Sequence, residues 1–122
     1  MLNFINPRAG AGVMHMDAQK AISEAAKGLI VLIDVRDGNE VKASGKAAGA
    51  LHLPLASFQM RANPSSPECE PALKSGKPLV LYCASGARSN AAGQMLLKMG
   101  YEDVRNLGGL RDWAVAGGAI ER

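Results

Sequence analysis

Leu79-Val80-Leu81-Tyr82-Cys83-Ala84-Ser85-Gly86-Ala87-Arg88-Ser89 reads as a buried strand, a tight loop and the opening turn of a helix. Mostly apolar residues lead up to Cys83, with the β-branched or aromatic Val80 and Tyr82 at alternate places, which suits a strand. Gly86 interrupts the run and lets the backbone turn sharply. Beyond Arg88 the period changes. Ala91, Ala92, Met95, Leu96 and Met99 share one helical face, and Gly100 ends that helix.

This order places Cys83 at the carboxyl end of a strand, facing the amino end of a helix. Unpaired N–H groups converge there, and the helix dipole favours negative charge. A thiol so placed loses its proton readily, and the thiolate is the nucleophile. The loop residues Ala84, Ser85, Gly86, Ala87 and Arg88 are the candidate substrate-binding nest, through their N–H groups. Arg88 adds a fixed positive charge and a fork of donors suited to an oxyanion. A lone cysteine is by default an inert buried thiol. Gly86, Arg88 and the helix behind them favour a reactive one. A cation in a first helical turn opposes the dipole, so an arginine held there signals an anion close by.

Upstream, residues 1–13 contain Pro7, Gly10 and Gly12 among small residues and are expected to form an extended arm. Residues 14–122 are expected to form a single domain. A helix starts after Asp17, a good N-cap, shows Ala18, Ala21, Ile22, Ala25 and Ala26 on one face, and ends at Gly28. Leu29 to Ile33 is a continuous apolar run, the pattern of a strand covered on both faces. Asp34-Val35-Arg36 follows at its carboxyl end, the edge where ligands bind in open α/β sheets. Arg36 is therefore a further candidate for substrate binding, with a local ion pair to Asp34 as the alternative. Ala50 to Pro54 is strand-like, and residues 55–78 form a connector whose Asn63-Pro64-Ser65-Ser66-Pro67 cannot be regular. After the central helix, residues 103–107 read as a last strand, Gly108-Gly109 as a turn, and residues 110–116 as a closing helix with Trp113 on its buried side. Strands alternating with helices predict an α/β fold: a small, mostly parallel sheet of about five strands with helices on both faces.

The pattern Cys83-x-x-Gly86-x-Arg88 after a strand resembles the active-site loop of the rhodanese family of sulfurtransferases. Asp34, Val35, Arg36, Glu40, Gly45, Gly49, Ala50 and Pro54 are similar to a second signature of that family, with Lys46 where the family usually has His and Ala48 where it usually has Pro. Asn106-Leu107-Gly108-Gly109 with Trp113 and Gly117 resembles its carboxyl end, so the likeness runs over residues 14–122. The loop from Cys83 to Arg88 has six residues, the rhodanese length. Related dual-specificity phosphatases of the cell-division-cycle type use one more, making room for a phosphate. The resemblance implies that Cys83 carries a persulfide. A small anionic donor such as thiosulfate would supply the sulfur, and a thiol, cyanide or the thiol of a partner protein would remove it. No cofactor or metal is implied. The alternatives are a persulfide carrier serving a partner protein, or a phosphatase or arsenate reductase on the same fold.

Composition is consistent with this reading. The 122 residues suffice for one domain with a real core. A net charge of +3 with scattered basic residues gives no support to nucleic-acid binding, and it suits a small anionic substrate. No run approaches the ~20 apolar residues of a membrane span. The amino end lacks the charged-then-apolar order of a signal peptide. A reduced, cytoplasmic setting is the expectation. His15 and His52 read as surface or structural residues, and neither they nor the two cysteines have metal-ligand spacing. Cys69, between Glu68 and Glu70, is expected to be an exposed bystander, because acidic neighbours disfavour a thiolate.

Overall fold

The computed structural model of the protein describes residues 12–122; the arm expected over 1–13 lies outside the described residues but for its last two positions. A short strand β1 (Met14–His15) precedes helix α1 (Ala18–Ala26), which Asp17 caps by accepting the Lys20 N–H at 3.1 Å. Next come β2 (Val31–Asp34), α2 (Gly38–Ser44), β3 (Lys46–Ala47), β4 (Leu51–His52) and α3 (Phe58–Ala62). The remainder is β5 (Leu79–Cys83), α4 (Ala87–Lys98), β6 (Val104–Gly109), α5 (Leu110–Val115) and β7 (Ile120–Glu121).

Five strands form one parallel sheet in the order β1-β6-β5-β2-β4, and β3 and β7 pair as a separate antiparallel ribbon. The expected five-stranded parallel sheet is therefore present. β5 lies at its centre and every one of its residues is buried. Alternate side chains divide between two cores, as the pleat requires. Ile33, Leu79, Leu81 and Cys83 pack with Phe58 and Ala62 of α3 and with Ala92 and Leu96 of α4. Leu32, Val80 and Tyr82 pack on the other face with Ala21 of α1 and Trp113 of α5.

Several boundaries differ from the sequence expectation. β2 begins at Val31, because Leu29 bonds back to the Glu24 carbonyl at 2.9 Å and stays half-exposed in the exit turn of α1. α2 was not expected, although Asp37-Gly38-Asn39-Glu40 has the spacing of a capping box. Asp37 Oδ1 accepts the Glu40 N–H at 2.9 Å and Glu40 Oε1 accepts the Asp37 N–H at 3.1 Å. α3 forms inside the segment read as connector, with Phe58 and Ala62 buried. The buried stripe of α4 is Ser89, Ala92, Gly93 and Leu96, while Ala91 faces outward. Gly108-Gly109 does not turn the chain; it prolongs β6 and pairs with Tyr82 and Cys83 after a bulge at Leu107.

Candidate active site

Cys83 ends β5, and α4 starts four residues later. Gly86 between them sits at φ +103°, in the left-handed region, and a Cβ there would lie 3.4 Å from Gly108 Cα. Only glycine takes this conformation without strain. A side chain at Gly109, the residue paired with Cys83, would come within 2.2 Å of the Ala84 carbonyl oxygen. These two glycines let the loop fold tightly over the end of β6.

That fold directs donors at the sulfur. The Gly86 N–H donates to Cys83 Sγ at 3.0 Å, and the Ser89 N–H and Ser89 Oγ both lie 3.4 Å from it. Cys83 itself is buried, whereas Ala84, Ser85 and Ala87 are exposed, so the sulfur lies just beneath the surface of the loop. Burial pushes the Cys83 thiol up. The Ser89 hydroxyl and the N–H groups of Ser89, Gly86 and Ser85 outweigh it, and the net shift is below the ordinary thiol range. Hydrogen bonds from the loop and Ser89 are what lower it.

Arg88 is held by an anion, as its place in the first helical turn implied. The anion is Glu40, from the first turn of α2. Arg88 Nη1 donates to Glu40 Oε1 at 2.7 Å and Nη2 to Oε2 at 2.8 Å, a bidentate fork. Arg88 brings the Glu40 carboxyl down to about 2, against some burial and with help from the Asp37 N–H. Arg88 is shifted upward in turn, chiefly by the same hydrogen bonds. A guanidinium has five N–H donors, so three stay available beside the loop.

Arg36 is different. It is 3% exposed, and its five N–H groups meet Asp34 Oδ1 and Oδ2, the Glu40 and Gly45 carbonyls and Ser44 Oγ. Asp34 also accepts the Tyr82 hydroxyl at 2.6 Å, and the Tyr82 oxygen in turn accepts the Ala47 N–H at 2.9 Å. The ion pair with Asp34, one of the two readings of Arg36, is the one that forms. A direct substrate contact would have to displace acceptors already in place. Arg36 instead ties α2 to the end of β2, and α2 carries Glu40 to Arg88.

A family model, the rhodanese-like domain, matches residues 17–116. The chain belongs to the rhodanese-like family. It is 37% identical to the Bacillus subtilis protein YqhL over 74% of this chain, and it spans 63% of that protein's length. It is 30% identical to thiosulfate sulfurtransferase GlpE of Coxiella burnetii, over 83% of this chain and 84% of the relative. A solved Rhodopseudomonas palustris structure, of a protein of unknown function called a possible tyrosine phosphatase, superposes with a TM-score of 0.82 at 31% identity. That match covers 93% of this chain and 88% of the other.

The second cysteine of this rhodanese-like domain is half-buried, not exposed as expected. Cys69 Sγ lies 3.7 Å from the Ala62 and Glu70 carbonyls and 3.8 Å from the Tyr101 hydroxyl. The Tyr101 hydroxyl reaches the Ala62 carbonyl at 2.7 Å. Burial and Cys69 raise Tyr101 to about 12. His52 is structural: its Nε2 meets the Arg36 carbonyl at 2.7 Å. Among the described residues no group of His, Cys, Asp and Glu is arranged to hold a metal, and no helix is long and apolar enough to cross a membrane.

Three residues of this site had no assigned role in the sequence reading. Glu40 was visible only as a signature position, and the capping-box spacing was the signal for its helix. Ser89 directly follows Arg88, and its place one turn after Gly86 puts it on the sulfur side of α4. Asn106 was visible only as part of the likeness at the carboxyl end; its link to the sulfur was not, because Ser89 and Gly86 lie 17 and 20 residues away.

Proposed function

We propose that this rhodanese-like domain transfers a sulfane sulfur through a persulfide on Cys83. The observation that carries the reading is the trio of donors on Cys83 Sγ, from Gly86 N–H, Ser89 N–H and Ser89 Oγ, at the amino end of α4. They favour an anionic sulfur, whether thiolate or persulfide. The name of the Coxiella relative supports thiosulfate as donor. The Cys83 thiolate attacks the outer sulfur of thiosulfate. The S–S bond of the donor breaks, and sulfite leaves with the electron pair. The terminal sulfur anion on Cys83 then receives the N–H groups of the loop Ala84, Ser85, Gly86, Ala87 and Arg88. A thiolate or cyanide acceptor attacks the terminal sulfur and releases the Cys83 thiolate. Arg88 draws the anionic donor with its charge and its remaining N–H groups, while Glu40 fixes its direction. A reduced, cytoplasmic setting would keep Cys83 available.

A persulfide carrier would use the same first step and hand the sulfur to a protein thiol. The phosphatase reading, raised by the name of the Rhodopseudomonas relative, is disfavoured by the loop. With Gly86 N–H 3.0 Å from Sγ, the six-residue loop suits one added atom and not a tetrahedral phosphate.

The test is intact mass after incubation with thiosulfate. Wild type and Cys69→Ser should each gain one sulfur, and Cys83→Ser none. A gain that survives Cys83→Ser would reject the assignment.

A further inference from the structure

We infer that Asn106 is a positioning residue for the Cys83 sulfur: its side-chain amide sets two of the groups that reach that atom, Gly86 and Ser89. The inference rests on Cys83 being the reacting sulfur.

Asn106 lies in β6, two residues from Val104, whose side chain packs in the Cys83 core, and so on the α4 face of the sheet. The bulge follows at once: Asn106 is opposite Leu81, Gly108 is opposite Tyr82, and Leu107 is the additional residue. Bulges bend a strand and re-aim side chains next to sites. Here the amide points under the loop. Asn106 Nδ2 donates to the Gly86 carbonyl at 3.0 Å, and Oδ1 accepts the Gly108 N–H at 2.9 Å. A carbonyl only accepts and an N–H only donates, so these two partners settle which way the amide faces.

Oδ1 also lies 2.8 Å from Ser89 Oγ. That hydroxyl has a single proton and three acceptors in reach: Asn106 Oδ1, the Gly86 carbonyl at 3.2 Å and Cys83 Sγ at 3.4 Å. Opposite a neutral thiol, the proton goes to Asn106. Opposite a thiolate, it turns to the sulfur, and Oδ1 keeps the Gly108 N–H and is not stranded. Asn106 thus parks the Ser89 proton one rotation from Sγ and pins the left-handed Gly86, whose N–H is the closest donor to the sulfur.

The experiment is the pH titration of the Cys83 thiolate by its ultraviolet absorbance, in a Cys69→Ser background. The Cys69→Ser/Cys83→Ser protein serves as the blank and removes the tyrosine signal. Asn106→Ala should raise the midpoint by about one pH unit, a tenfold smaller thiolate fraction below the midpoint. Ser89→Ala should raise it too, and the double variant should move it more than the sum: with Ser89 present, loss of Asn106 loosens Gly86 but also frees the hydroxyl proton for the thiolate, an offset that Ser89→Ala removes. Leu73→Ala, a buried residue of the connector that lines one cavity with Leu79, the first residue of β5, serves as a control that lowers Tm without moving the midpoint. Should Asn106→Ala fail to fold, Asn106→Ser carries the same expectation. A folded Asn106 variant with lowered Tm and an unmoved midpoint overturns the inference, as does strict additivity with Ser89→Ala. The readout needs no sulfur donor, so it stands apart from the mass test of sulfur transfer.

Discussion

The two cysteines of this chain sit in opposite hydrogen-bonding environments. Cys83 ends a central strand and is met by donors: two backbone N–H groups and a hydroxyl. Cys69 sits in the connector beside acceptors, the Ala62 and Glu70 carbonyls, with the Tyr101 hydroxyl itself turned toward Ala62. A sulfur anion is stabilised by donors and repelled by carbonyl oxygens, so the surroundings of Cys83 suit an anionic sulfur and those of Cys69 offer no such donors. The difference follows from position. Strand ends in a parallel sheet open onto helix amino termini, where N–H groups are unpaired. A connector running beside short helical turns meets their carbonyls.

The largest expected effect comes from removing the favoured thiol. Cys83→Ser should abolish thiosulfate:cyanide transfer while leaving Tm nearly unchanged, measured by thiocyanate formation and thermal melting. Next comes Arg88→Ala, which should lower kcat/KM for thiosulfate by about ten- to a hundredfold through loss of a charge-assisted contact. Its effect on alkylation of Cys83 by a small neutral reagent should be much smaller; equal losses in both reactions would mean that Arg88 serves the thiolate and not the donor. Aryl phosphate turnover by the unaltered protein should be close to nil.

A smaller effect is expected from the acid that aims Arg88. Glu40→Gln should reduce kcat/KM by about three- to tenfold, as one hydrogen-bonded contact loses its charge. The pH dependence has a definite sign. Arg88 holds the Glu40 carboxyl down to about 2, below its unfolded value of ~4.3. Its stabilisation is therefore complete above the unfolded value and is lost as pH falls toward about 2. The Tm gap between wild type and Glu40→Gln should hold from neutral pH to about pH 5 and close below it. A gap that widens in acid would contradict the brace.

The smallest effect is reserved for the other cysteine. Cys69→Ser should keep kcat/KM within about twofold, since its serine hydroxyl can serve the same carbonyl acceptors. A large loss would make Cys69 a relay for the sulfur and erase the contrast. Between these extremes lies the ionisation of Cys83. Its alkylation midpoint should fall below the ordinary thiol value of ~8.5, because the Ser89 hydroxyl and the loop N–H groups outweigh burial.

Much of this was legible along the chain, for a physical reason. Strand, loop and helix around Cys83 are local events: the apolar run, the glycine and the change of period lie within a few turns of one another. The same holds for the Asp17 cap and for the parallel-sheet character of the run before Asp34. The six-residue loop and its arginine pointed to an anion and to a reactive sulfur with no knowledge of the neighbours. Even the Asp34–Arg36 pair was one of two local options.

The tertiary structure settled what those groups touch. Arg88 meets Glu40 across 48 residues, because β2 and β5 are neighbours in the sheet and α2 follows β2. Arg36 became an anchor because five acceptors surround it, two from Asp34 at the end of β2 and three from α2 and its capping Gly45, a gathering that only the packing of α2 against β2 produces. Ala91 faced outward and Ser89 inward because the phase of α4 is set by the loop docking on Gly108 and Gly109, not by its own apolar period. The bulge at Leu107 brought Asn106 to Gly86 and Ser89. Hydrophobic period and turn chemistry act over a few residues, and they choose elements. Hydrogen-bond partners act over a few ångströms, and only the packed sheet decides which residues lie that close.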